Sequence, residues 1–264
     1  MSMNMSTTST FPQTDGVMTP RRVAGAYLAE IRSECLRYLR NPGFMLPLML
    51  FPAVFYLMFG VLMNHGHADA ARYLLASYGV FGVMGPGLFG FGASLALERD
   101  GGLLTLKRAL PMPPGAYLLG KMAMAMVVSG LVMVLMLLLG VFAAHVPLSG
   151  AQILGLLALG VFGVLPFCAL GMFVGTLIKG QGAPGLLNLV YLPMAFLSGL
   201  WFPLSAMPSW LAAIAPVWPS YHLNIIAQRV VGLSDAPVLA HVWILLGVAV
   251  GLLWLASRRL RRHG

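Results

Sequence analysis

From Met122 to Ala144 the chain carries no Asp, Glu, Lys or Arg. A helix rising 1.5 Å per residue over such a run crosses the roughly 30 Å hydrocarbon layer of a bilayer. Similar stretches recur at Phe44–Asn64, Tyr73–Leu97, Tyr117–Ala144, Ala151–Ile178, Ala183–Phe202 and Val238–Ala256. The composition agrees: 59% of the residues are hydrophobic and 9% charged, against about a quarter charged in soluble domains. In lipid every backbone polar group must be satisfied internally, which leaves helices as the reading for runs of this length. The expected fold class is therefore an all-α membrane protein with six transmembrane helices in one domain, residues 43–264. Pro47, Pro52, Pro86, Pro166 and Pro193 fall inside the spans, where neighbouring helices can re-satisfy the freed carbonyls.

Basic residues set the orientation. Arg21, Arg22, Arg32, Arg37 and Arg40 precede the first span; Arg99, Lys107, Arg108 and Lys121 surround the second loop. Lys179 follows span four, and Arg258, Arg259, Arg261 and Arg262 end the chain. Only Arg72 and Arg229 remain for the opposite face. Fourteen against two places both termini in the cytoplasm. The formal charge of +9 is thus a signal of topology and of contact with membrane lipids. No nucleic-acid partner is expected, since the chain has no room for a folded basic domain.

Residues 1–19 lack the basic flank and apolar core of a signal peptide and read as a disordered lead-in. Over residues 20–42, Tyr27, Ile31, Cys35 and Tyr38 share one side with Leu28 and Leu39, while Arg22, Glu30, Ser33, Glu34, Arg37 and Arg40 lie opposite. This pattern predicts an amphipathic helix on the cytoplasmic membrane surface, either an anchor for span one or a gating element. Cys35 and Cys168 sit too differently to form a disulfide. His65, His67 and Asp69 cluster in the first external loop, but two histidines and a carboxylate there lack a fixed geometry, and no metal site is expected.

The stretch GAYLLGKM, Gly115 to Met122, fits the G-x-x-x-x-G-K pattern of phosphate-binding loops. The pattern requires a preceding strand and a Ser or Thr to bind magnesium. Here Met122 occupies that position and Pro111-Met112-Pro113-Pro114 precedes, which a central strand cannot contain. The stretch is a loop entering span three, with Lys121 as a snorkelling interfacial anchor. Arg229, near the other membrane face, reads as a second anchor.

No ionisable group lies in the apolar core of the spans as drawn, which disfavours an ion-coupled transporter. Six spans are few for an enclosed path, so a dimer fits better and energy should come from outside. The loop from Glu98, Arg99, Asp100, Gly101 and Gly102 leads into a short stripe of Leu103, Leu106 and Leu110, with Lys107 alongside and Pro111 as stop. Asp100 can cap it. Such a helix either docks in a partner's groove or is a charged loop that only satisfies topology. At the opposite face, Pro203, Pro208, Pro216 and Pro219 divide residues 203–237 into pieces too short to span, with Trp201, Trp210, Trp218 and Tyr221 suited to headgroups. Two short half-embedded helices between spans five and six are expected, near Ser205–Ala215 and Pro219–Val231, forming an outer gate or a packed cap.

Two blocks of the chain resemble the permease subunits of type-two ABC exporters. One is LERDGGLLTLKRALPMPPGAYLLGKM, which is similar to the family's acidic residue, glycine, short helix, proline and Gly-Lys element before span three. Leu104 departs from the Thr-Leu pair common there. The other is FLSGLWFPLSAMPSWLAAIAPVWPSYHLNIIAQRVVG, similar to the family's Ser-Gly, proline, Pro-Trp and late Arg pattern. The likeness runs from about residue 20 to the end. It implies an exporter permease of a bacterial inner membrane, and the uncharged spans suit an amphipathic drug, lipid or lipid-linked glycan as its cargo. It would pair with itself or a similar chain above two separate ATPase subunits. ATP and magnesium would be used by that partner, and no cofactor is expected here. The resemblance implies ATPase coupling through Glu98, Arg99, Asp100, Gly102, Leu103, Leu106, Lys107, Leu110 and Pro111. Ser198, Gly199, Trp201, Pro203, Pro208, Trp210 and Pro216 would form the outer gate or its packing.

A different class is an intramembrane serine protease using Ser198 and His241, which requires the base beside the nucleophile. Phe196 and Leu197 precede Ser198 where that pattern wants glycine, and Ser-Gly pairs also serve helix packing.

Overall fold

A computed structural model describes residues 19–263 apart from 65, 110–112, 114 and 179. The lead-in up to residue 18, His65, Leu110, Pro111 and Lys179 lie outside the described residues, which are helical with no strands among them. The order is α1 Pro20–Leu39, α2 Pro42–Leu62 and α3 Ala68–Asp100. Next come the loop helix α4 Leu103–Ala109, α5 Ala116–Ala143 and α6 Gly150–Leu177. The chain closes with α7 Ala183–Leu197, α8 Ser209–Ile214, α9 Pro219–Val230 and α10 Val238–His263.

Boundaries follow local chemistry. Pro20, Pro42 and Pro219 open helices, where their missing N–H would be unpaired anyway. Ser149 opens α6 with a reciprocal cap: Gln152 N donates to its hydroxyl, and its own N–H donates to Gln152 Oε1 at 2.9 Å. Gly102 turns the chain from α3 into α4 at φ +72°, a left-handed conformation that favours glycine.

Five helices, α2, α3, α5, α6 and α10, are long and apolar enough to cross a membrane. The fifth expected segment is shorter than the sequence implied. Its helix α7 has 15 residues, about 22 Å at 1.5 Å per residue, and ends where Gly199 adopts φ +74°. Two short helices follow it, α8, which covers only part of the expected Ser205–Ala215, and α9.

The most buried span, α3, is the centre of the bundle. Pro86 removes one donor from it, and over Pro86–Ala93 the helix widens to i→i+5 bonding. There α3 lies almost in backbone contact with α6: a Cβ on Gly92 would stand 2.5 Å from the Gly171 carbonyl oxygen, and one on Gly171 2.6 Å from that of Gly87. Glycine is what lets the two helices approach. Toward its N-terminal end α3 meets α9 through buried polar groups. Gln228 Nε2 donates to Ser77 Oγ at 2.9 Å, Ser77 Oγ to Asn224 Oδ1 at 3.1 Å, and Tyr73 Oη to the Gly199 carbonyl at 2.6 Å.

The faces of α1 differ from the expected division. Leu28 and Leu39 point outward, whereas Glu34 is 2% exposed. The carboxylate turns inward because α1 packs along α5, which presents Lys121 to it.

Candidate functional site

Lys121 is fully buried. It stands one turn and a half into α5, immediately before the uncharged run, and an ammonium in that setting must be paired. Its Nζ lies 2.9 Å from Glu98 Oε1 at the end of α3 and 3.4 Å from Glu34 Oε2 on α1. It also donates to Ser94 Oγ at 2.8 Å. The anchor expected to snorkel is instead enclosed, because α1 lies across the point where the side chain would leave.

Arg37 closes the ring from α1, with Nη1 2.6 Å from Glu98 Oε1 and Nη2 2.7 Å from Glu34 Oε2. Tyr117 Oη donates to Glu98 Oε2 at 2.6 Å. Lys107, on the loop helix, lies 3.2 Å from Glu34 Oε1 and also pairs with Glu30. Its Nζ sits 4.6 Å from the Tyr117 ring centroid. Burial works against the charged form of Lys107, but the bond to Glu30 and the charge of Glu34 outweigh it, so its pKa stands above the ordinary lysine value. Arg37 behaves alike: Glu98 and Glu34 overcome its desolvation and raise its pKa.

The cluster holds three carboxylates, Glu30, Glu34 and Glu98, and three cations, Arg37, Lys107 and Lys121. Its charge is balanced, and each member depends on the others to offset desolvation. It joins four helices: α1, the end of α3, the loop helix α4 and the start of α5. A displacement of α4 cannot leave α1 unmoved without separating Lys107 from Glu30 and Glu34.

The remaining loop residues have different partners. Arg99 donates to the Thr176 carbonyl at 3.2 Å and to that of Ile178 at 2.7 Å, closing the C-terminal end of α6. Arg259 reaches the same Thr176 carbonyl at 3.3 Å. Asp100 does not cap the loop helix: it is the last residue of α3, and its carboxylate accepts from Gly180 N–H. Leu103 is half-buried, and Leu106 is 66% exposed. Thus the expected coupling residues split into the ionic cluster (Glu98, Lys107), a clamp on the α6–α7 connection (Arg99, Asp100) and an apolar outward tip (Leu106).

A cavity of about 1100 Å³ opens beside the cluster between α2, α3 and α7. Arg37, Asn41, Glu98 and Asn188 contribute polar groups; Phe51 and Phe55 belong to its apolar wall.

At the far end of the bundle, Ser198 Oγ lies 2.5 Å from Ser220 Oγ, which also faces the Met194 carbonyl. His241 pairs with His222, not with Ser198. Among the described residues no hydrogen bond joins Ser198 to His241, so the nucleophile–base contact of the protease reading is missing. Gly199 supplies a carbonyl to Tyr73 and Asn224, and Trp201 packs on Phe55, Phe81 and Phe196. Pro203 and Pro208 precede the Leu204–Ala206 turn and α8, Trp210 is exposed, and Pro216 accepts from His222. Arg229 pairs with Asp235 and donates to the Ser234 carbonyl, tying the turn after α9.

The sequence reading missed Glu30, Glu34 and Arg37 as site residues. The available signal was an acidic pair at i, i+4 on α1, facing a chain whose first loop-to-span segment holds Lys107 and Lys121.

Residues 25–230 match the family model described as ABC-2 type transporter. The chain is also 32% identical over 234 residues, 87% of its own length and 94% of the relative's, to the Bacillus subtilis (strain 168) protein named "Putative transport permease YvfS". The matched region contains α1 from residue 25 onward, the ionic cluster, the loop helix and the short helices that follow α7. With its five long apolar helices, this multi-pass membrane transport permease belongs to the ABC-2 type transporter family.

Proposed function

We propose that the chain is the membrane subunit of an ATP-driven exporter, working as a dimer with itself or a similar permease above two copies of a separate ABC ATPase subunit. The observation that carries this reading is the ionic cluster, which connects an outward-pointing helix, α4, to α1 and to the ends of two spans. The exposed Leu106 is the docking point for the ATPase, and Lys107 passes its motion through Glu30 and Glu34 to α3 and α5. ATP and magnesium act on the ATPase alone.

Six crossings are supported by one contact. Arg259 at the end of α10 and Arg99 at the end of α3 share the Thr176 carbonyl, so α10 finishes on the side where α6 finishes. The chain between them must cross once more, and α7 with its flanking turns provides that passage. Glu34 of α1 and Glu98 at the end of α3 share Lys121 and Arg37 on the same side, so both termini share it. The excess of basic residues there supports the cytoplasmic face of a bacterial inner membrane. On this placement α1 is a surface helix with Leu28 and Leu39 toward lipid, and α8 and α9 are half-embedded at the outer face.

The cavity supports an amphipathic cargo, since its wall is aromatic and its cytoplasmic end is polar with balanced charge. The test is a pull-down in mild detergent with the chain tagged at its C-terminus. An ATPase should co-purify with hydrolytic activity and be lost when residues 103–109 become a Gly/Ser linker. Purification of the intact chain alone under those conditions would reject the proposal.

A further inference from the structure

The end of the bundle opposite the ionic cluster holds a pair of histidines that the transport reading leaves unused. His222 lies on α9 and His241 near the start of α10, with their Nδ1 atoms 2.8 Å apart. His222 Nε2 is 2.9 Å from the Pro216 carbonyl oxygen. A carbonyl only accepts, so that nitrogen carries the hydrogen. In the neutral imidazole His222 Nδ1 is then a lone pair, and His241 Nδ1–H donates to it. Both tautomers are fixed by one backbone oxygen.

We propose that this pair is a proton-operated latch between α9 and α10, closed while at most one of the two rings is protonated and released when both are. A first proton, on either ring, still leaves one Nδ1–H facing one lone pair, because neutral His241 can carry its hydrogen on Nε2; a second sets two imidazolium Nδ1–H groups against each other and turns the attraction into a repulsion. His222 is 5% exposed, so a proton reaches it as the helices part. Burial lowers its pKa, and the bond to Pro216 opposes this without overcoming it. The open state therefore binds more protons than the closed one, and the latch weakens as pH falls.

Among the described residues no other ionised group takes part in the pair. The elements packed on α9 are α3, α6, α10 and the Ala215–Val217 turn. Asp69 and Arg72 on α3 pair with each other, and Arg229 on α9 pairs with Asp235 in the following loop. Arg258 and Arg259 lie at the far end of α10, and Cys168 is the ionisable residue of α6. Tyr221 is the neighbour, its ring centroid 5.3 Å from that of His222 and 6.2 Å from that of His241. On its other side α9 is held to α3 by Ser77, Asn224 and Gln228. Release of the latch thus frees the α9–α10 seam while the α3–α9 seam stays bonded.

The test is hydrogen–deuterium exchange on the full chain in lipid nanodiscs at pH 8 and pH 5, with rates corrected for intrinsic exchange. Peptides covering residues 216–224 and 238–244 should open severalfold more at pH 5, while 73–79 remain unchanged. The His222→Asn/His241→Asn double variant, which keeps polar groups but cannot titrate, should lose the difference, and gel filtration with thermal melting checks that it folds. Absence of a pH effect in the wild-type chain, or its persistence in the folded double variant, would overturn the proposal. Should the double variant not fold, the His241→Asn single variant decides: its amide can turn its oxygen to a protonated His222, so acid opening must be lost there too, and its persistence would overturn the proposal.

Discussion

Lys121 Nζ lies 2.9 Å from Glu98 Oε1 with its side chain wholly buried, at the junction of two spans whose inner portions carry no charge. The cluster is charge-balanced, so removing either partner leaves one buried charge uncompensated, although Glu98 keeps Arg37 and Lys121 keeps Glu34 nearby. Lys121→Met should destabilise the folded permease by about 3–5 kcal/mol, the usual cost of breaking a buried pair. Thermal unfolding in detergent of Lys121→Met, Glu98→Gln and the double variant should show the double losing less than the sum of the singles.

Leu106 is the apolar tip of the loop helix, 66% exposed. Leu106→Asp should leave the melting temperature of the isolated permease unchanged, because the side chain buries little within the chain. Co-purified ATPase activity should fall by at least about tenfold if docking loses on the order of 1.4 kcal/mol. Equal recovery of activity would remove Leu106 from the docking surface.

Close packing of α3 on α6 gives a steric prediction. Gly92→Ala places a methyl 2.5 Å from the Gly171 carbonyl oxygen, an overpacking expected to cost about 1–3 kcal/mol. Gly251→Ala on α10 meets nothing within 4 Å and should be neutral or stabilising by up to about 1 kcal/mol. Unfolding curves of the two variants make the comparison directly.

Ser198→Ala removes the hydroxyl facing Ser220, which retains the Met194 carbonyl as partner. The expected cost is about 0.5–1.5 kcal/mol of stability, with transport retained. Loss of all function in a folded Ser198→Ala protein would revive a nucleophilic role for this residue.

Much of this architecture was legible in the chain. Uncharged runs announce spans, since nothing else satisfies so many consecutive backbone groups in lipid, and proline at Pro20, Pro42 and Pro219 marks helix starts. The loop helix followed from Gly102 and the leucine spacing. What the sequence concealed was the partner of each charge. Glu30 and Glu34 look like the solvated face of an amphipathic helix until α1 is laid against α5, and Lys121 looks like a snorkelling end until α1 covers it. Arg99 and Asp100 sit beside Glu98 in sequence, yet helical rotation directs them to the end of α6. The length of α7 was overestimated because Ser198–Phe202 is apolar but leaves the helix through a left-handed glycine.

The central claim, that Lys107 carries motion from the loop helix into the bundle through Glu30, is most directly tested by charge exchange in the complex reconstituted with its ATPase. Burial works to lower the Lys107 pKa, but pairing with Glu30 and Glu34 outweighs it and holds the value above that of an ordinary lysine. Its contribution is therefore complete below about pH 10.4 and lost only as pH rises through the raised value, so an assay at pH 7.5 reads the link intact. Lys107→Glu should still bind the ATPase but lower the permease-dependent hydrolysis rate at least about fivefold, the effect of roughly 1 kcal/mol of coupling. Adding Glu30→Lys should restore most of it. A reversal that leaves hydrolysis unchanged, or a loss that Glu30→Lys does not repair in a folded complex, would contradict the account.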